Sequence, residues 1–484
     1  MDWFIAADSE FARQVLQRGI ALMYLIAFAS TAAQFRALLG DHGLLPAPEL
    51  LKHKAALRGP TLFRWHYSDR LLLVVSWTGI VLAVATVIGI PQSLPAWVPL
   101  LVFLAMWLLY MSIVNIGQTF YGFGWESLLL ESGFLVAFLG SNEVPPPRLI
   151  LLLTAWLVFR LEFGAGMIKI RGDRSWRDLT ALYYHHETQP MPNPVSRFAH
   201  LLPKPVHRAE VLGNHFAQLV VPFFLFAPQP IASIAAAIVI LTQLWLIISG
   251  NFAWLNWITI VLAFAAVSDT AVRWLIPALP AVSADRGPGA YSPVWFLSLV
   301  VAVSVFLVFL SYWPIRNLFS RHQLMNASFN RWHLVNAYGA FGSVTKRRHE
   351  VIVEGTMDVS PGDEADWREY EFKGKPGDPS RMPRQFAPYH LRLDWLMWFL
   401  PLGSVHERWF YAFLERLLEA DPPTLRLLRV DPFGGQRPQW VRARMFRYRF
   451  ATRTEKRQSA LWWIREPVHV AIPPVSLHPE QARP

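Results

Sequence analysis

Two ionisable side chains at the end of an apolar stretch have the types and the spacing needed to move a proton. Glu162 and Lys169 are seven residues apart, about two helical turns, so both can face one side of a helix. A partly buried lysine can have a lowered pKa and act as a general base. If the chain is an enzyme, we expect Lys169, Glu162 and His215 to carry the catalysis. The alternative is a structural ion pair, or a Lys169 side chain that extends to the membrane surface.

Other polar residues interrupt apolar stretches of the same part of the chain. A charge at membrane depth is costly unless it is paired or hydrated, so such residues are functional candidates by default. A membrane-embedded active site would require them to converge on one cavity. The alternatives are charges that pair at the ends of spans and amides that hydrogen bond between helices. The pocket candidates are Glu126, Glu131, Arg160, Asn214, Asn251 and Asn256.

The supply of metal and cofactor ligands is poor. The sequence has no cysteine, which excludes disulfides, thiol nucleophiles, iron–sulfur clusters and cysteine-ligated zinc. His185, His186 and Glu187 are adjacent, and adjacent residues on a helix do not share a face. No His-Glu-x-x-His, P-loop, Gly-x-Gly-x-x-Gly or Gly-x-Ser-x-Gly motif occurs. We therefore predict no metal and no cofactor.

Composition places these residues in a membrane protein. Of the 484 residues, 53% are hydrophobic and only 16% are charged, and the mean hydropathy is +0.28, whereas soluble chains carry about 25% charged residues. A spanning helix needs about 20 apolar residues. By this measure we predict nine spans, of which the fourth and the eighth are short enough to be half-spans or buried helices. The spans are Gln17–Arg36, Leu71–Ile90, Trp97–Ile116, Trp125–Gly140, Leu149–Ile170, Val211–Ala227, Ile231–Ser249, Phe252–Val267 and Ser292–Trp313.

The composition changes after Trp313, and no further spanning segment follows. The predicted fold class is therefore a membrane protein, with an α-helical multi-pass bundle of about nine spans in residues 1–316. An extramembrane α+β domain follows in residues 317–484. Its predicted strands are Val351–Thr356, Trp367–Phe372, Val441–Phe450 and Leu461–Ile464, and its predicted helix is Arg408–Ala420.

The net charge of +11 indicates an anionic partner. The basic residues lie in loops beside the spans and in the C-terminal third, where they suit anionic lipid headgroups, and we find no nucleic-acid-binding motif. We therefore predict membrane lipids, and not nucleic acid, as partners. Nine spans place the long basic loops and the C-terminal domain on one side, which the positive-inside rule would make cytoplasmic. Arginine outnumbers lysine 37 to 8, as is typical of a GC-rich bacterial genome.

Aromatic and charged residues cluster in the C-terminal domain. Arg392 and Asp394 alternate with apolar residues, so they share one face if the segment is extended, and an Arg–carboxylate pair would form a structural clamp. Trp395 and Trp398 add a large apolar surface, either for the core or for docking on the membrane. We assign six residues to structure or to a client-facing surface: Tyr338, Phe341, Arg392, Asp394, Trp395 and Trp398.

Ordered motifs run through most of the chain. They include Ser328–Thr345, Arg347–Gly355, Trp367–Phe372, Lys375–Gly377 and Arg392–Phe399, and in the membrane half Leu179–Leu182, Gln189–Pro194, His200–Pro203 and Gly250–Asn251. In this order they resemble the lipase maturation factor family. The family implies a multi-pass membrane protein. Its animal members lie in the endoplasmic reticulum, with a lumenal C-terminal domain, and help homodimeric lipases to fold and assemble.

From this resemblance we expect a membrane-anchored folding factor for exported lipases or other secreted proteins. It would lie in a bacterial inner membrane with its C-terminal domain in the periplasm, against the charge rule. A fainter resemblance connects Ala165–Lys169 and Trp176 to the membrane core of vitamin K-dependent carboxylase-like proteins, in which a lysine at a similar place is the base. It makes a membrane-embedded enzyme the alternative. A transporter would show repeats and paired broken helices, and neither is evident.

Overall fold

Apolar helices dominate the structure as far as Phe319. The structure is a computed structural model and describes residues 3–53, 57, 59–278, 292–362 and 364–477. A helix satisfies its own backbone hydrogen bonds, which is why apolar sequences cross a membrane in this form. In the described residues the bundle is built from nine helices: α1 (Glu10–Leu39), α2 (Asp69–Ile88), α3 (Trp97–Val114), α4 (Gly124–Ala137), α5 (Arg148–Arg171), α6 (Lys204–Leu219), α7 (Ile231–Ser249), α8 (Leu255–Ala263) and α9 (Val294–Leu310).

Each end of α1 is hydrogen bonded to a different part of the chain, and these contacts distinguish the two ends of the bundle. At one end, Arg13 of α1 donates to the carbonyl of Val144, 2.8 Å away. At the other end, Gln34 of α1 donates to the carbonyl of His390, 2.8 Å away. We call this second end the domain end, because the C-terminal residues pack there.

Seven segments of the described chain are long and apolar enough to cross a membrane, or eight if the bent pair Leu255–Ala266 and Asp269–Leu275 counts as one span. This confirms a multi-pass bundle. The fourth and eighth predicted spans take the form of short helices. α4 has 14 residues and is buried at most of them, and α8 has nine. At 1.5 Å per residue neither covers a hydrocarbon core of about 30 Å, so neighbouring helices shield them.

Helix α2 shows how the sequence sets the ends and the lipid-facing side of a span. The Ser68 side chain accepts the N–H of Leu71 at its start, and Gly89, with a φ of 94°, ends it. Glycine adopts this left-handed conformation without the steric cost that a side chain would add. Val74, Trp77 and other apolar side chains of the helix are exposed, as expected of a surface that faces lipid.

Short helices fill the connections at the domain end, and the chain from 320 to 347 has no regular helix or strand. Asn326, His333, Val335 and Phe341 in this last segment have positive φ angles, so it turns sharply as it crosses the domain end. We call residues 326–344 the crossing segment. The short helices are Ala47–Lys52, Arg174–Arg177, Leu182–Thr188 and Ser196–His200.

The C-terminal region contains a four-stranded antiparallel sheet in the order β2-β1-β3-β4. The strands are β1 (Arg348–Thr356), β2 (Arg368–Glu369), β3 (Trp440–Phe450) and β4 (Trp463–Val475), and the larger helices are α10 (Arg392–Phe399) and α11 (Arg408–Leu418). α11 buries Phe410, Phe413, Leu414 and Leu417, the spacing of one helix face. The small sheet and the helix Arg408–Leu418 confirm the predicted α+β character of this region.

Arg392 and Asp394 do not share a face. They would do so on an extended segment, whereas they lie on the helix α10. Residues two apart on a helix point about 160° away from each other. The helix forms because Leu393, Trp395 and several neighbours are buried together between the bundle and the sheet, which an alternating strand would not allow.

Candidate functional site

The six charged and polar residues proposed to line a membrane-embedded site do not converge on one place in the structure. Five of them divide among three separate buried networks, named here after their cations Arg392, Arg160 and Lys169, and Asn251 lies outside all three. Helix geometry explains the division. Glu126 and Glu131 are five residues apart on α4 and Arg160 and Glu162 two apart on α5, so each pair points to well-separated sides of its helix.

The Arg392 network joins the bundle to the C-terminal region. Arg392 Nη1 donates to Glu126 Oε1 at 2.6 Å, and the Tyr110 hydroxyl donates to Glu126 Oε2 at 2.5 Å. Both charged side chains are fully buried. Removing two charges from water is offset only when geometry and hydrogen bonds are good. The ion pair is therefore a structural clamp, with Glu126 and not Asp394 as the carboxylate.

Aromatic rings enclose this ion pair. His390 lies 3.5 Å from Glu126 Oε1, and its ring is surrounded edge-on by Trp125, Trp254 and Trp395. Burial lowers the pKa of His390 to about 4, with the Arg392 charge acting in the same direction. His390 is therefore neutral at physiological pH, and Trp395 belongs to the core rather than to a membrane-docking surface.

The Arg160 network holds the crossing segment against the bundle. Arg160 forms a buried ion pair with Glu131 and donates to the carbonyl of Asn336 at 2.6 Å. Glu131 Oε2 also accepts the backbone N–H of Asn336 and the hydroxyl of Tyr338, at 2.9 and 2.8 Å. This carboxylate therefore organises a segment that lies about 200 residues further along the chain.

The Lys169 network is an amide-bridged chain inside the bundle. Lys169 Nζ donates to Gln218 Oε1 at 2.9 Å, and the Gln218 amide reaches Glu162 Oε2 at 3.3 Å. Gln243 donates to Glu162 Oε1 at 2.6 Å and is itself bonded by Asn256. The lysine thus meets the glutamate through Gln218, and no direct ion pair between them occurs in the described residues.

The Lys169 ammonium contacts two further side chains. Its ammonium lies 4.6 Å from the centre of the Trp176 ring and 3.3 Å from Asn214 Oδ1. His215 contacts the same tryptophan, with its Nε2 3.0 Å from the Trp176 carbonyl. The three residues proposed as catalytic, Glu162, Lys169 and His215, are therefore close in space, but each is held by structural contacts.

The remaining predicted residues lie at the domain end. Asn251 accepts the N–H groups of Phe386 and Ala387 at 2.7 and 2.9 Å, which joins the bundle to the C-terminal region. Asp394 is buried and accepts the N–H groups of Gly374 and Lys375 at 2.6 and 3.2 Å, and burial raises the pKa of its carboxyl group. Beside it, a cleft of about 420 Å³ includes Gln34, Lys373, Asp394 and Arg426 in its lining.

Two aromatic residues of the predicted client-facing set also make internal contacts. The Trp398 indole donates to the carbonyl of Thr188 at 3.1 Å. Phe341 packs its ring against His185 and Phe252. Both side chains therefore connect the C-terminal third to loops of the membrane half.

Sequence reasoning missed a further charged group in the C-terminal region. Glu350 is paired with Arg348 at 2.6 Å and with Lys375 at 2.9 Å, and all three side chains are buried. Arg348 also donates to the carbonyls of Glu187 and Pro190, both at 2.9 Å. The available signal was the alternation of charged residues through a strand whose neighbours are apolar.

Two family models match the chain, one in the membrane half and one in the C-terminal region. A family model described as the lipase maturation factor transmembrane domain matches residues 11–274. A second, described as the lipase maturation factor C-terminal domain, matches residues 334–473. The chain belongs to the lipase maturation factor family.

Individual relatives agree with the family models. The chain is 41% identical to lipase maturation factor 1 of Homo sapiens over 98% of its own length and 88% of that protein. It is 30% identical to lipase maturation factor 2 of Homo sapiens over 97% of its own length and 83% of that protein. No solved structure matches the chain significantly. The resemblance to this family is thus confirmed, while the fainter one to carboxylase-like proteins stays a prediction.

The networks of Glu126 and Glu131 can now be compared with the two regions matched by the family models. Glu126 and Glu131 lie in the region matched by the transmembrane model. Arg392, Asn336 and Tyr338 lie in the region matched by the C-terminal model. Each network therefore connects one family region to the other, and the two regions form a single packed structure.

Proposed function

We propose that this chain is a membrane-anchored folding factor, without catalytic chemistry of its own, for exported lipases or other secreted proteins. The observation that carries the proposal is the relationship to proteins named lipase maturation factor, which extends over 98% of the chain and both family regions. A relationship of this extent includes both the anchor and the C-terminal region.

The geometry of the polar residues supports a scaffold. Lys169, Glu162 and Glu126 are each buried and hydrogen bonded to internal partners. A catalytic site instead needs a nucleophile or base that can reach a substrate. The family relationship gives no support to the alternative of a carboxylase-like enzyme with its site around Lys169.

The C-terminal region is the part of the chain placed to meet a client protein. The bundle exposes apolar side chains such as Val74, Val81 and Val305, which suit membrane lipids as partners. The sheet region carries no spanning helix among its described residues. The Arg392 and Arg160 networks join the C-terminal region to the bundle. We therefore place client contact in residues 317–484 and the anchor in residues 1–316, although residues 478–484 lie outside the described part.

Lipase activity tests the function. Deleting the gene should lower the specific activity of an exported lipase several-fold while its mRNA level stays constant, because the unfolded client fails to mature. Wild-type protein and the Lys169→Met variant, compared at equal membrane abundance, should both restore the activity. Unchanged lipase activity in the deletion strain would contradict the folding-factor proposal. Failure of Lys169→Met alone, at normal abundance, would favour the enzyme.

We further propose a bacterial inner membrane location with a periplasmic C-terminal region, because an exported client folds on that side. The absence of cysteine makes a labelling test direct. Gln458→Cys places a thiol on the exposed surface of the C-terminal region, and Glu143→Cys places one at the opposite end of the bundle. A membrane-impermeant maleimide should label only Gln458→Cys in intact spheroplasts and both variants after lysis. The reverse pattern would place the C-terminal region in the cytoplasm.

A further inference from the structure

Two histidines and a glutamate come together where the connection after α5 packs on the start of α6. His186 lies on the short helix Leu182–Thr188, and His207 and Glu210 lie on α6. One potential ligand atom from each lies within 4.8 Å of the other two. We propose that His186, His207 and Glu210 form a binding site for a divalent transition metal ion of the zinc type. The proposal is independent of the proposed function and revises the sequence-based expectation of no metal.

Each of the two histidines has a ring nitrogen that can bind a metal ion. His186 is 2% exposed, and neither of its ring nitrogens has a hydrogen-bond partner among the described residues. His207 is 3% exposed. Its Nε2 lies 3.2 Å from the carbonyl of His200, and its Nδ1 has no partner in the described chain. A buried polar atom without a partner is costly, and a metal ion would satisfy one nitrogen of each ring.

The third proposed ligand, Glu210, is oriented by a hydrogen bond from a residue that is not itself a ligand. Glu210 Oε1 accepts the indole N–H of Trp245 at 2.5 Å and lies 3.8 Å from His186 Nε2, beyond hydrogen-bond distance. Metal-binding carboxylates and imidazoles are commonly oriented by such second contacts. The His200 carbonyl does the same for His207, because a proton on Nε2 leaves the lone pair of Nδ1 for the metal.

The donor set fits zinc. Two imidazoles and one carboxylate, with a fourth position open to water, are an established zinc environment. With bonds of about 2.0–2.1 Å, ligand atoms of a tetrahedral site are about 3.3 Å apart. Because the three ligand atoms lie within 4.8 Å of one another, they need to approach by no more than about 1.5 Å. Glu210 is partly exposed, which gives the ion an entry path.

A metal ion here would fasten the connection to the bundle. The adjacent Glu187 accepts the backbone N–H of Phe450 on β3 at 2.9 Å, so the connection also contacts the C-terminal sheet. An ion bound by His186 on one side and by His207 and Glu210 on the other would cross-link the helix Leu182–Thr188 to α6. Its role would be structural, in fixing the sheet at the domain end.

The test is zinc binding by the full-length protein, purified in detergent on a tag without histidine and stripped with a chelator. After Zn²⁺ is added back and the excess is removed by desalting, wild type should retain one Zn²⁺ per chain. Added Zn²⁺ should also raise its Tm, because an ion that binds only the folded state stabilises it. Co²⁺ should give the absorption spectrum of nitrogen and oxygen ligation. The Glu210→Gln and His207→Asn variants should bind Zn²⁺ at least about tenfold more weakly. Losing a residue that only supports a metal ligand weakens binding by about 10–100-fold, and losing a ligand should cost no less.

His215→Asn is the matched control. His215 also lies on α6, and its Nδ1 has no hydrogen-bond partner in the described part of the chain, but its Nε2 is bonded to the carbonyl of Trp176. This variant should bind Zn²⁺ as wild type does. Absence of Zn²⁺ and Co²⁺ binding by wild type would overturn the proposal. Undiminished binding by folded Glu210→Gln and His207→Asn would do the same. If either variant does not fold, the stoichiometry and the Co²⁺ spectrum of wild type decide.

Discussion

At the scale of single residues, two buried carboxylates of the membrane half bind groups from the C-terminal third of the chain. Glu126 receives the guanidinium of Arg392, which is 266 residues away. Glu131 receives the N–H of Asn336 and the hydroxyl of Tyr338 in addition to Arg160. Breaking a buried pair leaves an uncompensated charge, whereas removing both partners together costs much less. These residues are therefore coupled rather than additive in their effect on stability.

The coupling can be measured with Arg392→Gln and Glu126→Gln. Each single variant should lose about 3–5 kcal/mol of unfolding free energy, because the remaining charge is buried without its partner. The double variant should lose clearly less than the sum of the two. Chemical denaturation in detergent micelles measures all three, with Arg457→Gln, an exposed arginine, as a control that should be neutral. Strict additivity would mean that the two residues do not act as a pair.

His390 predicts an acid sensitivity. Its pKa is lowered from 6.5 to about 4 by burial, so the folded state binds fewer protons than the unfolded state between these values. The contribution of His390 to the free energy of unfolding is therefore at its full value above pH 6.5. It falls as the pH drops towards 4, by up to about 1.4 kcal/mol per pH unit. The Tm of His390→Gln should depend less steeply on pH between 6 and 4.5 than that of wild type. Equal slopes would contradict this role.

Part of this residue-level picture was available from the sequence. The 140° between Glu126 and Glu131 on one helix follows from their spacing and argues against a shared site. The pairing of Glu126 with Arg392 does not follow from any local pattern, because only tertiary packing brings such distant residues together. His207 and Glu210, three residues apart, were recognisable as one helix face, but their neighbour His186 was not.

At the scale of elements, the crossing segment depends on a close approach to α5. A Cβ added at Gly164 would lie 2.5 Å from the carbonyl oxygen of Tyr338, whereas one added at Gly213 of α6 would meet nothing within 4 Å. Gly164 therefore permits the contact that brings Tyr338 to Glu131. Glycine at Gly213 serves no such purpose.

The pair Gly164→Ala and Gly213→Ala tests this contact. Alanine favours a helix by about 1 kcal/mol over glycine, so Gly213→Ala should leave the protein unchanged or raise its Tm. Gly164→Ala should lower the Tm, because the backbone of the crossing segment must shift and weaken the Arg160 network. Thermal unfolding of both variants in the same detergent decides the matter. A stabilising effect of Gly164→Ala would show that the segment has room to move.

Elements with a strong local pattern were predictable, and those set by their surroundings were not. Arg408–Leu418 and Trp440–Phe450 follow from their own periodicity. Hydropathy predicts α4 and α8 as spans. They can be shorter than a span because neighbouring helices shield them, which the sequence does not show. The α10 segment alternates like a strand over its first residues, but burial on several sides makes it helical.

At the scale of the whole molecule, the two family regions form one cooperative unit. The bundle places Glu126 in an apolar environment, and the C-terminal region supplies the neutralising Arg392. The same holds in the opposite direction, because Arg392 would be buried without a carboxylate partner. Neither region is therefore electrostatically complete alone, although each is matched by its own family model.

A chain truncated after Phe319 should consequently be unstable in the membrane. Glu126 would lose Arg392, and Glu131 would lose the contacts of Asn336 and Tyr338, at a cost of several kcal/mol. We expect the truncated bundle to give little monodisperse material by size-exclusion chromatography in detergent. The same truncation carrying Glu126→Gln should be recovered in larger amount, because the uncompensated charge is gone, whereas Asp269→Gln, at the opposite end of the bundle, should give no such rescue. A truncated wild-type bundle as monodisperse as the full chain would show that the membrane half neutralises Glu126 without the C-terminal region, and that the Arg392 clamp serves only to orient the domain.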